Sequence, residues 1–79
     1  MKEKVVIVKW KMGDAATPSA DNAVRICRVD FPIEFTAYLD DAQIEAAGRR
    51  EFAIMLHAVG ILHYTVESME VKEAAATAA

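Results

Sequence analysis

The sequence predicts an α+β domain with the element order β-β-α-β and a single three-stranded antiparallel sheet. One segment, residues 39–62, has helical periodicity, and segments rich in β-branched and aromatic residues lie on both sides of it. The first of these segments is apolar on both faces near its start, as a central strand is. We therefore expect the strand order 2-1-3, with the helix packed on one face. At 79 residues the chain is expected to form one domain.

The first predicted strand covers residues 4–12, which read KVVIVKWKM. Its β-branched residues favour an extended conformation, and alternation places Val6, Val8 and Trp10 on one face. Residues 13–22 read GDAATPSADN, a run of turn-forming residues without helical periodicity. We expect them to form a loop between the first two strands.

The second predicted strand covers residues 23–38. Apolar and polar residues alternate from Cys27 onward, and the residues expected to point inward are Cys27, Val29, Phe31, Ile33 and Phe35. Val24 and Ile26 have the opposite parity, so we expect a β-bulge at residues 26–27. Because Pro32 has no N–H to donate, the strand should lie at a sheet edge or bend there.

The predicted helix begins after Asp40, whose carboxylate can accept hydrogen bonds from the first-turn N–H groups. Gln43 completes a capping-box pattern, and Gly60 supplies the left-handed residue that commonly ends a helix. The expected buried stripe consists of Ile44, Ala47, Gly48, Phe52, Met55 and Val59.

The second half of the helix carries more large apolar side chains than one sheet face requires. Phe52, Met55 and Val59 are expected to fill the core, against Val6, Val8, Trp10 and Phe35. This leaves Ile54, Leu56 and Ile61, which would mark a contact surface if they were exposed together.

The third predicted strand covers residues 63–72, where Tyr64, Thr65 and Val66 favour an extended conformation. Residues 1–73 are expected to form the domain. Residues 74–79 read AAATAA, and we expect a disordered tail there because no side chain is large enough to anchor it.

The formal net charge is −3, and the charge is unevenly distributed. Residues 1–28 hold six basic and three acidic residues, for +3, whereas residues 29–79 hold nine acidic and three basic residues, for −6. The single cysteine, Cys27, cannot form an internal disulfide, and neither a signal peptide nor an apolar segment long enough to span a bilayer is visible. The expected location is therefore cytoplasmic, without membrane attachment.

No catalytic, metal-binding or cofactor-binding motif appears in the sequence. His57 and His63 are six residues apart, and no third ligand has a spacing typical of zinc sites. Cys27 lies among inward-facing residues and is expected to be a small core residue, not a nucleophile. We therefore predict a protein that is not an enzyme and that uses no cofactor or metal.

Basic residues accompany an aromatic residue on the first two strands, as in several RNA-binding sheets. The residues concerned are Lys9, Trp10, Lys11, Arg25 and Arg28. Trp10, however, has the parity of the buried face, and the chain as a whole is acidic. A nucleic-acid-binding module is therefore only the third of the functions considered.

A short acidic chain without motifs, with a small antiparallel sheet and a helix, resembles many phage-encoded anti-CRISPR proteins. This resemblance implies a non-enzymatic inhibitor that binds a CRISPR effector complex at its basic DNA-binding groove and prevents the complex from binding target DNA. No residue motif carries over. The charge distribution indicates the acidic residues that would contact such a groove, namely Asp30, Glu34, Asp40, Asp41 and Glu45.

A second possible function is a structural or regulatory module that forms homo-oligomers. Assembly would use a strand edge or the apolar residues left over on the helix, Ile54, Leu56 and Ile61. The sequence is compatible with a monomer or a homodimer.

Overall fold

The structure is a computed structural model, and it describes residues 3–74. The elements are β1 (Lys4–Met12), β2 (Arg25–Phe31), α1 (Ile33–Thr36), α2 (Asp41–Ala58) and β3 (Tyr64–Glu73). The three strands form one antiparallel sheet in the order β2-β1-β3, and α2 packs on one face of it. The predicted α+β fold, its strand order and its central first strand are confirmed.

The strand register places apolar residues of all three strands on the face that α2 covers. Val6 lies opposite Val29 of β2 and Val71 of β3. The bulge predicted at residues 26–27 is wrong, because β2 pairs with β1 there without a break. The irregularity lies instead in β3, where Lys9 pairs with Ser68 and Trp10 with Val66, so that one extra residue of β3 bulges out.

The second strand ends earlier than predicted. Pro32, in an extended conformation, precedes α1, and its carbonyl oxygen accepts hydrogen bonds from the N–H groups of Phe35 and Thr36. The expected bend at Pro32 is therefore confirmed, but the strand does not continue beyond it. As a result Ile33 and Phe35, predicted to point inward, are 37% and 43% exposed, and Thr36 is buried instead.

Both predicted ends of the long helix are confirmed in detail. The Asp40 carboxylate accepts from the Gln43 N–H at 2.8 Å, and the Gln43 side-chain oxygen accepts from the Asp40 N–H at 3.0 Å. At the other end Gly60 has φ +82° and donates to His57 O, while Ile61 donates to Leu56 O. This pair of hydrogen bonds is a Schellman motif, which satisfies carbonyl groups that the helix itself leaves open.

The core is centred on Phe52, which is 1% exposed. Its ring packs against two other aromatic rings, with centroid distances of 5.6 Å to Trp10 and 5.3 Å to Tyr64. Both pairs are close to perpendicular, an arrangement that the aromatic quadrupole favours. The buried residues of the cluster are Val6, Val8, Trp10, Val29, Phe31, Ile44, Ala47, Phe52 and Leu56.

The predicted buried stripe of the helix is correct only in its first part. Met55 and Val59 are 45% and 71% exposed, whereas Leu56 is buried. Buried residues recur every four positions at Gly48, Phe52 and Leu56. Because one helical turn takes about 3.6 residues, each four-residue step rotates the buried stripe slightly around the helix, so that its last member is Leu56 and not Met55. α2 also ends at Ala58, which leaves Val59 as the C-cap residue.

The C-terminal end of the described chain remains attached to the sheet, since the Ala74 N–H donates to Glu3 O at 2.8 Å. The other residues of the predicted tail, 75–79, lie outside the described residues.

Candidate functional site

A groove of about 480 Å³ lies at the end of the sheet where β1 leads into its loop. One wall is formed by residues 13 and 17–20 of that loop, and the other is the segment 60–63 that joins α2 to β3. Apolar side chains of Met12, Pro18 and Leu62 line it, and its volume falls within the range typical of ligand clefts. We call this feature the terminal groove.

The loop wall of the groove is fixed by hydrogen bonds from Asp14. Its carboxylate accepts from the N–H groups of Ala16 and Thr17, at 3.0 and 2.7 Å. The same carboxylate lies 3.1 Å from Nδ1 of His63, on the opposite wall. Because an ionised carboxylate only accepts, Nδ1 of His63 must carry the proton in this contact.

Gly13 brings the two walls together. Its N–H donates to His63 O at 2.9 Å, and its carbonyl oxygen accepts from the Thr65 hydroxyl at 2.8 Å. It adopts φ +83°, and a Cβ atom here would lie 2.5 Å from the Ser19 nitrogen. A side chain at position 13 would therefore displace the loop wall and change the shape of the terminal groove.

The electrostatics of the groove depend on Asp14. The Thr17 backbone N–H, followed by the His63 side chain, holds the pKa of Asp14 below its ordinary value of 3.8. The carboxylate is therefore ionised across the neutral range, and it places a negative charge beside His63, which lines the groove.

Large exposed apolar side chains occur in the last turns of α2 and in the segment that follows it. Ile54, Met55, Val59 and Leu62 are 55%, 45%, 71% and 58% exposed, and Leu62 also lines the groove. We call these four residues the apolar end of α2. Met55 and Val59 are four residues apart, about one helical turn, and exposed large apolar side chains this close together are typical of a contact site for another protein.

The helix residues predicted to be left over are not exposed together. Leu56 is buried in the core, Ile61 is partly buried against it, and only Ile54 is well exposed. The condition under which Ile54, Leu56 and Ile61 would mark a contact surface, joint exposure, is therefore not met. The drift of the buried stripe explains the exchange, because it draws Leu56 inward and leaves Met55 outside.

The predicted acidic residues gather only in part. Asp40 and Asp41 lie together at the start of α2, and Lys4, which is opposite Phe31 in the sheet, reaches Asp41 at 3.6 Å. Glu34 is exposed on the neighbouring α1. These three carboxylates lie at the end of the molecule opposite the terminal groove, and we call them the acidic end.

The other two predicted acidic residues have partners outside the acidic end. Asp30 is on the sheet face turned away from α2 and lies 3.4 Å from Arg28. Glu45 lies one helical turn before Arg49, with 3.8 Å between the charged atoms. Both pairs are exposed, so they neutralise part of the negative potential expected of this half of the chain.

The structure also locates the residues considered for chemistry or nucleic-acid binding. Cys27 is half-buried against the core, and burial raises the pKa of its thiol, which favours the protonated form. Trp10 is 7% exposed, with the Arg25 guanidinium 5.6 Å from its ring centroid, so it offers no free face for a base. Within residues 3–74 no three metal-ligating side chains come together.

Sequence reasoning missed the terminal groove. The signals present were Gly13 with Asp14 three residues before Thr17, an Asx-turn pattern, and Gly60 three residues before His63. Each predicts a local turn, but nothing in the sequence shows that the two turns meet.

No known protein family, characterised protein or solved structure matches this chain. Among the described residues, no helix is both long enough and apolar enough to cross a membrane.

Proposed function

We propose that this protein acts by binding another protein, which inserts an apolar side chain into the terminal groove. The observation that carries the proposal is that Leu62 is exposed, lines the groove and follows the exposed apolar residues that end α2. An apolar pocket beside exposed apolar side chains, with a few polar residues in its lining, is the arrangement expected of an anchoring pocket.

The residues of the terminal groove would contribute to binding in three different ways. Met12, Pro18 and Leu62 supply apolar walls that are desolvated when a side chain enters. The hydroxyl groups of Thr17 and Ser19 lie in the loop wall, where they can hydrogen-bond the backbone of the inserted segment. Asp14 and His63 hold the two walls at a fixed separation, which reduces the entropy lost on binding.

A blocking substitution tests this proposal. Leu62→Arg places a charged side chain in the groove, and Ala46→Arg adds the same charge at an exposed position in the first half of α2. Each immobilised variant is used to capture proteins from the organism that encodes the chain, with quantification by mass spectrometry. A partner retained by the wild type and by Ala46→Arg should fall about tenfold with Leu62→Arg, as for loss of a moderate anchoring contact. Equal capture by both variants would contradict the proposal.

A second candidate function is inhibition of a nucleic-acid-binding complex of the CRISPR effector type through the acidic end. The observation that favours it is the placement of Glu34, Asp40 and Asp41 at one end of the molecule. Carboxylates grouped in this way would compete with DNA phosphates for a basic groove.

The acidic-end proposal is tested without disturbing the helix cap. The double variant Glu34→Lys/Asp41→Lys reverses two charges of the acidic end and keeps the Asp40 cap intact. If the acidic end is the inhibitory surface, this variant should no longer prevent a CRISPR effector complex from binding target DNA in a gel-shift assay. Full inhibition by the double variant would remove this candidate.

A further inference from the structure

The sheet face turned away from α2 has an ordered pattern of charges. Strand pairing arranges this face, which we call the open face, in rows across the three strands in the order β2, β1, β3. The rows are Asp30, Val5 and Lys72; then Arg28, Ile7 and Glu70; then Ile26, Lys9 and Ser68. Within residues 3–74, α2 packs its buried side chains on the other face, against the core cluster.

The two edge strands carry opposite charges in opposite order. On β2 the acid is in the first row and the base in the second, whereas β3 has the base first and the acid second. Each acid lies near the base of its own strand, with 3.4 Å between Arg28 and Asp30 and 3.6 Å between Lys72 and Glu70. All four side chains are more than half exposed and can therefore meet a further charged layer.

We propose that two copies of this chain stack through their open faces. The two-fold axis lies between the two sheets and runs perpendicular to the strands, at a level midway between Val5 and Ile7. The first row of one copy therefore lies over the second row of the other. Asp30 then meets Arg28 of the partner subunit, and Lys72 meets Glu70 of the partner subunit. Every charge in the first two rows faces its opposite, which specifies this register and no register shifted by one row.

The third row selects this axis over the other possible one. An axis parallel to the strands would also pair opposite charges, but it would set Lys9 against Lys9 of the partner subunit. With the crossing axis, Lys9 lies over Glu3 of the partner subunit, because the two-residue period of a strand, continued back from Val5, assigns Glu3 to the same face. Like charges in direct contact are unfavourable, so the crossing axis is preferred.

The apolar contribution to this contact is modest. Val5 is only 4% exposed in the single chain, so the apolar surface covered on stacking comes from the half-buried Ile7 and from Ile26, which is 65% exposed. Three strands about 4.8 Å apart and a strand about 30 Å long give a face of roughly 450 Å² per copy. Interfaces that bury less than about 1,200 Å² in total are typically weak, so we expect a dimer that dissociates on dilution.

Two charge-reversal variants test the arrangement. Arg28→Glu makes the charged pair of β2 doubly negative, and Asp30→Arg makes it doubly positive. Each variant alone should sediment as a monomer of 8.7 kDa at concentrations where the wild type is a dimer. An equimolar mixture should recover the dimer, because the negative pair of one variant faces the positive pair of the other. Arg49→Glu, on α2, makes the same change in net charge away from the open face and should leave the dimer intact.

The measurement is sedimentation equilibrium across the micromolar to millimolar range, with circular dichroism to verify that each variant is folded. The double variant Arg28→Glu/Asp30→Arg keeps the pair within its strand and should dimerise like the wild type. With the parallel axis the double variant would instead be monomeric, because residues 28 and 30 would face the charges of β3. A wild-type chain that is monomeric throughout, or a mixture that stays monomeric, would overturn the proposal.

Discussion

At the scale of single residues, the helix and the central strand approach each other closely at Gly48. A Cβ atom at Gly48 would lie 2.7 Å from Cγ2 of Val6, a side chain that is completely buried. Gly48 therefore sets the distance between α2 and the sheet, and no larger residue fits there without movement of one element.

We predict that Gly48→Ala destabilises the fold. Overpacking against Val6 costs about 1–3 kcal/mol, and the better helix propensity of alanine returns only about 0.5–1 kcal/mol. Urea denaturation gives the free energy of unfolding. Combining the change with Val6→Ala makes room for the new methyl group, so the double variant should lose less than the sum of the two single changes. Strict additivity would show that the two side chains do not compete for space.

Asp14 is the titratable residue whose carboxylate contacts His63 across the terminal groove. Its pKa is held below 3.8 in the folded state, chiefly by the Thr17 N–H and the His63 side chain. A depressed folded-state pKa means that the carboxylate stabilises the native state above its unfolded pKa. This contribution is lost as the pH falls through the folded pKa.

The predicted pH dependence follows from the lowered folded-state pKa of Asp14. Between about pH 7 and about pH 3, wild-type stability should decrease toward acid, mostly below about pH 4. Asp14→Asn should be less stable than the wild type at neutral pH and should have a shallower acid decrease. Asp21, whose pKa is also lowered, remains in the variant and accounts for residual slope. Parallel stability curves for the two proteins would show that Asp14 makes no charge-dependent contribution.

At the scale of elements, the helix caps were fully predictable because they depend on residues three or four positions apart. Asp40 with Gln43 and Gly60 with His57 are local patterns, and the structure contains both. The first strand was equally predictable, since β-branched residues on both faces of a central strand leave few alternatives.

The cap gives a prediction that separates hydrogen bonding from charge. Asp40→Ala removes the acceptor for the Gln43 N–H and should cost about 1 kcal/mol of stability. Asp40→Asn keeps an acceptor oxygen and should retain most of that stability. Thermal unfolding followed at the helix band distinguishes the two, and an equal loss in both variants would assign the effect to charge instead.

Other elements could not be predicted because more than one structure satisfied the local pattern. Ile33, Phe35 and their neighbours alternate as a strand does, yet Pro32 initiates a helical turn in which Phe35 stacks on Phe31 at 4.9 Å between centroids. On α2, positions 55 and 56 are both compatible with a buried stripe, and only the direction in which the stripe drifts decides between them. The terminal groove depends on a contact between residues 49 positions apart, which no local pattern reveals.

At the scale of the whole molecule, the protein has three distinct surface regions. The terminal groove and the apolar end of α2 lie at one end, the acidic end lies at the other, and the open face lies behind the sheet. The uneven charge of the sequence predicted an acidic surface, but pairing with Lys4, Arg28 and Arg49 reduces it. The apolar surface is the stronger basis for function, because burial of apolar area is the main driving force of association.

The most direct test of the account is amide hydrogen exchange on the protein with and without the partner that it captures. Exchange reports which backbone segments become protected, and it requires no substitution. We predict that protection rises in residues 13–20 and 60–63, the segments that contain the two walls of the terminal groove. Protection confined to α1 and the first turn of α2 would contradict the account and would identify the acidic end as the binding surface.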